Sequence, residues 1–104
     1  MQKKKYQIKY LKKFDEDLNE ILYYITYKLN NKNAAKNILD KIEKSIIDRS
    51  YNPESFEVYI TKENREFKWY RIYVNNYIIL YTVKDNEMIV TRLLYKRRNI
   101  KAIF

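Results

Sequence analysis

The sequence predicts an α+β domain, a mostly antiparallel sheet with a helical hairpin packed on one face, in the order β-α-α-β-β-β. Three observations carry this. Apolar residues alternate with a period of two near the start, switch to helical spacing between Phe14 and Ile46, and return after Glu66 as aromatic and β-branched runs. Asn75-Asn76 and Asp85-Asn86 sit between those later runs as two-residue turns, which is hairpin spacing. No linker, repeat or low-complexity tract divides residues 1–104, so the chain reads as a single domain.

The first element is a half-buried strand over 6–11, where Tyr6, Ile8 and Tyr10 alternate with Gln7 and Lys9. An acidic turn (Asp15, Glu16, Asp17) then suits the positive end of a helix dipole. Phe14, Leu18, Ile21, Leu22, Ile25 and Leu29 form one apolar stripe along that helix. Asn30-Asn31 ends it, asparagine being the best substitute for a C-terminal glycine. Asn33 is the expected cap of a second helix, with Ala35, Ile38, Leu39, Ile42 and Ile46 as its stripe, closed by Asn52-Pro53. The short link between the helices makes them an antiparallel hairpin.

A polar stretch from Thr61 to Glu66 separates the helices from three strands, Trp69 to Val74, Tyr77 to Val83 and Met88 to Tyr95. Asn75-Asn76 and Asp85-Asn86 are the turns between them. Two-residue turns set Val74 opposite Tyr77 and Val83 opposite Met88, and strict alternation then assigns faces. Tyr70, Ile72, Val74, Tyr77, Ile79, Tyr81, Val83, Met88, Val90, Arg92 and Leu94 face the helices. Ile78, Leu80, Thr82, Ile89, Thr91 and Leu93 fall on an open face, whose edge gathers Trp69, Arg71, Tyr73, Tyr95 and Arg97. Arginines interleaved with aromatics suit phosphates and stacked bases, or an amphipathic protein segment. Arg92, on the buried side, needs an acid, and Asp17 or Glu20 on the first helix is in position to supply it.

Composition removes many chemistries. The chain has no glycine, histidine or cysteine. That excludes Gly-rich phosphate loops, dinucleotide fingerprints and nucleophile elbows, as well as zinc sites of the usual ligands and Ser-His or Cys-His catalysis. No cofactor or metal is expected, and any chemistry falls to Lys, Arg, Tyr or carboxylates. Lys, Asn, Ile and Tyr make up more than half the chain, a bias that an A/T-rich genome also produces. The net charge of +9 is uneven. Residues 1–13 carry six lysines and no acid, residues 88–104 carry five basic residues and no acid, and the middle is slightly acidic. Two basic chain ends predict a polyanionic partner or an acidic protein that masks them. No apolar run approaches membrane-spanning length, and the reading is a cytoplasmic protein without a membrane partner.

The ordered set of motifs resembles the RelE/ParE superfamily of toxins from type II toxin–antitoxin systems (the plasmid stabilisation type) over about residues 6–100. The parts are the opening Tyr-x-Ile-x-Tyr strand, Asp17-Leu18-x-x-Ile21 with Tyr24-Ile25 a turn later, and Asn52-Pro53. The most telling stretches are Tyr70-Arg71-Ile72-Tyr73-Val74-Asn75-Asn76-Tyr77-Ile78-Ile79-Leu80-Tyr81 and Arg92-Leu93-Leu94-Tyr95-Lys96-Arg97-Arg98-Asn99. The resemblance implies the same fold, growth arrest, and a cognate antitoxin as partner. It also implies one of two targets. RelE-like members cleave mRNA on the ribosome without a metal, and ParE-like members poison DNA gyrase.

Residue by residue, the resemblance matches Arg71 and Arg97 to basic positions of the ribonuclease members. Ile78 stands where those members have arginine, Trp69 occupies another basic position, and Ile103 or Phe104 replaces a late tyrosine. The Arg92–Asn99 run is closer to ParE-like members, which usually have histidine at the Tyr95 position. The expectation is therefore a ParE-like gyrase poison. The alternatives are a ribosome-dependent endoribonuclease and a non-catalytic nucleic-acid-binding module. As catalytic candidates, Arg71 and Arg97 would hold the scissile phosphate and Tyr95 would move the proton. Trp69, Tyr73, Lys96 and Arg98 are the candidates for nucleic-acid or target binding, and Arg92–Asp17 the structural ion pair.

Overall fold

The computed structural model describes residues 5–61 and 64–97; Arg98, Ile103, Phe104 and the first lysines lie outside them. The chain runs β1 (Gln7–Tyr10), α1 (Lys12–Tyr23), a π-helical turn (Tyr24–Lys28), α2 (Lys32–Arg49), β2 (Val58–Thr61), β3 (Asn64–Val74), β4 (Tyr77–Lys84) and β5 (Glu87–Tyr95). The five strands form one sheet in the order β1-β5-β4-β3-β2. Only β1 lies parallel to its neighbour; every other pairing is antiparallel. Parallel strands cannot be joined by a tight turn, and the helical hairpin and β2–β4 lie between β1 and β5 along the chain. Among the described residues, no helix is long and apolar enough to cross a membrane.

The main core lies between the helical hairpin and the sheet. Phe14, Ile21, Ile25, Ile38, Ile42 and Ile46 from the helices meet Tyr70, Ile72, Ile79, Tyr81, Met88 and Val90. Ile46, Ile79 and Tyr81 are entirely excluded from solvent. Burying each such aliphatic side chain contributes roughly 1.5–3 kcal/mol. Inside the core Tyr70 and Tyr81 stack with ring centroids 5.1 Å apart and planes 12° from parallel.

Glycine's usual positions are filled as its absence demands. Asn30, Asn75 and Asp85 adopt φ of 50°, 51° and 58°. Short polar side chains tolerate this region better than any residue except glycine. In the second strand turn the left-handed residue is Asp85.

The structure corrects the sequence reading at four places. The sequence reading has no strand between the second helix and Trp69, yet β2 (Val58–Thr61) pairs with a β3 that begins at Asn64, inside the stretch read as polar, with Val58 opposite Tyr70 and Thr61 opposite Asn64. The strand Val-Tyr-Ile-Thr is only four residues long and its partner segment, Asn64 to Lys68, is mostly polar, so no long apolar alternation marks this edge hairpin in the sequence. The second helix is capped by Asn31, whose side-chain oxygen accepts the Ala34 amide at 3.0 Å, rather than by Asn33. Leu29 is 56% exposed because the π turn widens the helix by a residue and rotates the end of the helix off the core.

The fourth correction matters most. Leu80 pairs with Arg92 and Tyr81 with Val90, so Thr91 is an extra residue, a β-bulge, whose hydroxyl donates to the Leu80 carbonyl at 3.0 Å. One inserted residue inverts the faces of everything after it. Leu93 therefore joins the main core, while Leu94 forms a separate buried cluster with Ile78 and Leu80 on the other face. Arg92, opposite Leu80, starts from that second face as well. That face is not the open surface expected, since Ile78, Leu80 and Leu94 are 2%, 0% and 2% exposed.

Candidate functional site

The bulge lies where β5 loses its partner. β1 accompanies β5 only as far as Tyr10 opposite Val90, so the Leu93 amide beyond it faces no strand. The first turns of α1 fill the gap. Asp17 Oδ2 accepts the Leu93 N–H at 3.0 Å and the Arg92 Nε–H at 2.8 Å, and Arg92 Nη2 donates to Oδ1 at 3.2 Å. The side chains of Arg92 and Asp17 are 17% and 9% exposed, so this charge pair is largely desolvated. It ties α1 to the strand that carries the C-terminal basic segment.

Downstream of the bulge, Tyr95 lies opposite Tyr77 with ring centroids 5.0 Å apart. Both rings, with Tyr24 and Ile25 of the π turn, line a cleft of about 1110 Å³. Asn76, Lys96 and Arg97 complete its polar side. A neighbouring cavity of about 530 Å³ shares Tyr24 and Tyr95 and continues along α1 to Asp17 and Glu20. The Tyr77 hydroxyl is pushed up to about 12, first by burial and then by the adjacent Tyr95. It stays neutral at physiological pH.

Arg71 belongs to a different place. It pairs with Leu80 across the ladder, and Trp69 and Tyr73 pair with Thr82 and Ile78, all on the face of the second buried cluster. Tyr73 is 55% exposed. The Arg71 guanidinium lies 5.7 Å and the Lys96 ammonium 5.9 Å from its ring centre, a row of cation, aromatic and cation. Strict alternation would have gathered Arg71, Tyr95 and Arg97 on one edge. The bulge instead turns Tyr95 to the Tyr77 side and leaves Arg71 beside Tyr73.

Arg49 was missing from the sequence reading. At the end of α2, its Nη1 donates to the Arg71 carbonyl at 3.1 Å and to the Tyr81 hydroxyl at 2.9 Å, while its guanidinium stacks 3.4 Å above the Phe56 ring. Tyr81 in turn donates to the Pro53 carbonyl at 2.6 Å. The Tyr81 hydroxyl is raised by burial, against the opposing pull of Arg49. One cation thus fastens the loop after α2 to β3 and β4. The sequence shows only a basic residue in the last turn of a helix, where a basic residue is expected for dipole reasons alone.

The chain is similar to several toxins of solved structure. Over 86% of its length and 95% of the other chain, it superposes on the chromosomal ParDE system of P. aeruginosa with a TM-score of 0.68 at 13% identity. The RelE–RelB complex of Pyrococcus horikoshii OT3 gives a TM-score of 0.57 at 17% identity, covering 92% of this chain and all of that one. The RelB–RelE antitoxin–toxin complex of Methanococcus jannaschii gives 0.51 at 27% identity, covering 92% and 98%. No curated protein sequence matches. The family model of the ParE toxin of type II toxin–antitoxin systems (parDE) matches residues 8–100. With that match spanning nearly its whole length, and a sheet and helical hairpin shared with solved ParE and RelE toxins, the chain belongs to the ParE toxin family of the RelE/ParE superfamily.

Proposed function

We propose that this toxin arrests growth in the cytoplasm by poisoning DNA gyrase, and that a cognate antitoxin neutralises it. The observation that carries the reading is the Thr91 bulge, which turns Tyr95 to the Tyr77 side of the sheet, away from the face that carries Arg71. Metal-independent cleavage of RNA needs the phosphate-holding cations and the proton-moving group around one phosphate. Here Arg71 sits with Tyr73 on one side of the sheet, and Tyr95 packs against Tyr77 on the other. Ile78, at a position where ribonuclease relatives carry arginine, is buried at 2% exposure and presents no charge. The ParE family match favours the gyrase branch, and the similar structures that are antitoxin–toxin complexes support an antitoxin partner.

The test is induction in cells with two parallel readouts. Double-strand DNA breaks and an SOS response with intact mRNA are expected, together with accumulation of cleaved DNA when purified gyrase is mixed with the toxin. Cuts in mRNA at the ribosomal decoding site that vanish in Arg71→Ala would overturn the proposal in favour of the endoribonuclease. Co-expression of a cognate antitoxin should restore growth, and the two proteins should co-purify as a complex.

A further inference from the structure

The connection between α1 and α2 holds apolar side chains away from the core. Leu29 continues the stripe that runs from Phe14 to Ile25, yet it is exposed, and Tyr23 and Tyr27 are 59% and 69% exposed. Three backbone devices fix them there. The Leu29 amide donates to the Tyr24 carbonyl at 3.0 Å, closing the π turn, and the Asn31 amide donates to the Ile25 carbonyl at 3.1 Å. Asn30 takes the left-handed conformation between them, and Asn31 caps α2. Tyr23 and Tyr27 pack on each other with ring centroids 4.9 Å apart and planes 44° from parallel. Apolar residues scattered singly on a surface need no explanation, but Tyr23, Tyr24, Tyr27 and Leu29 lie within a single closed turn, and such a patch marks an interaction surface.

The charge around this patch is of one sign. Lys28, Lys32 and Lys36 are exposed, and no carboxylate occurs in the chain between Glu20 and Asp40. An occupant of this face therefore carries acidic groups around an apolar centre. A nucleic-acid strand fits less well. It would meet the lysines, but Leu29 gains nothing from a phosphate, and Tyr23 and Tyr27 fill the space beside each other where a base would stack. A tyrosine centre with a charged, solvent-accessible rim is the make-up of a protein–protein contact. We propose that the hairpin tip, residues 23–32, is the surface by which the toxin docks on its target, and that it meets an acidic patch of gyrase with an apolar centre; this rests on the gyrase reading above. Tyr23, Tyr27 and Leu29 form the centre of the contact, while Lys28 and Lys32 meet carboxylates at its rim and speed encounter. The closed turn orders these side chains before contact, so docking costs little conformational entropy.

The experiment uses the full chain, its tip variants and purified gyrase. Binding is read by calorimetry without DNA, and poisoning by the accumulation of cleaved plasmid once DNA and ATP are added. The parent should bind saturably, and less tightly as salt rises. Tyr27→Ala and Lys28→Glu should each weaken binding and poisoning at least tenfold, while Lys44→Ala, on the exposed side of α2, changes neither. Circular dichroism melts identify folded variants, and the exposed Lys28→Glu keeps the test decisive should Tyr27→Ala unfold. Folded tip variants that bind and poison gyrase as the parent does overturn the docking proposal alone and leave the gyrase reading intact. A parent that neither binds nor poisons gyrase overturns both. Co-purification with a cognate antitoxin should survive both substitutions; variants that lose it assign the tip to the antitoxin and overturn the proposal. Binding of the parent to a DNA duplex alone, abolished by the same two substitutions, would overturn it as well.

Discussion

The Asp17 carboxylate grips the Arg92 guanidinium with two hydrogen bonds, Nε to Oδ2 at 2.8 Å and Nη2 to Oδ1 at 3.2 Å. Oδ2 also takes the Leu93 amide at 3.0 Å. One side chain of α1 therefore neutralises a largely buried cation and ends an unpaired strand edge, just past the bulge that directs Tyr95.

Asp17→Ala should be among the most damaging substitutions. It strands the Arg92 charge at 17% side-chain exposure and leaves the Leu93 amide unpaired. Breaking a buried pair from one side typically costs about 3–5 kcal/mol. Asp17→Asn, which can still accept the amide, should cost less. The double variant Asp17→Ala with Arg92→Met should be more stable than Asp17→Ala alone. Urea denaturation of the four proteins checks the ordering, and a double variant less stable than the single would refute it.

Helix capping discriminates between two asparagines. Asn31→Ala removes the acceptor for the Ala34 amide and should cost about 1 kcal/mol. Asn33→Ala lies inside α2, where alanine is the better helix former, and should be neutral or slightly stabilising. Thermal melts of the pair suffice.

Tyr81→Phe deprives the Pro53 carbonyl of its donor and Arg49 of an acceptor while keeping the ring in the core. An unsatisfied buried group costs about 1–3 kcal/mol. The variant should also speed amide exchange in the loop of residues 51–57 more than elsewhere, a pattern that hydrogen-exchange mass spectrometry reads directly.

Alkaline pH should loosen the fold through Tyr77. Its folded-state value of about 12 exceeds the value near 10 of an unfolded chain, so the unfolded state loses this proton first. The contribution is whole below pH 10 and is lost as pH rises from about 10 toward 12. Urea midpoints measured between pH 8 and 11.5 should fall at the top of the range, and Tyr77→Phe should make the fall shallower. An identical slope in the variant would rule out this tyrosine as a source.

Much of this was legible in the sequence. Local periodicity is a property of neighbouring residues, so the stripe from Phe14 to Ile25, the stripe from Ala35 to Ile46 and the pairings Val74–Tyr77 and Val83–Met88 could all be read from the chain. Asn30 and Asn75 take the left-handed conformations that a chain without glycine must assign to some residue. The set of motifs placed the chain in its superfamily for the same reason, because each motif is short and ordered along the sequence.

What the tertiary structure decided is where those parts point. A period-two count cannot register an inserted residue, and Thr91 shifts the count by one, which moves Leu93 into the main core and separates Tyr95 from Arg71. The π turn that exposes Leu29 and the contacts of Arg49 with Phe56, Tyr81 and the Arg71 carbonyl likewise join residues distant in sequence or depend on one extra residue per turn. Sequence alone determined the elements, their order and the charge they carry. The faces they present were settled only by long-range packing, because a bulge or a π turn forms where the surrounding core, not the local pattern, makes the irregular backbone the lower in free energy.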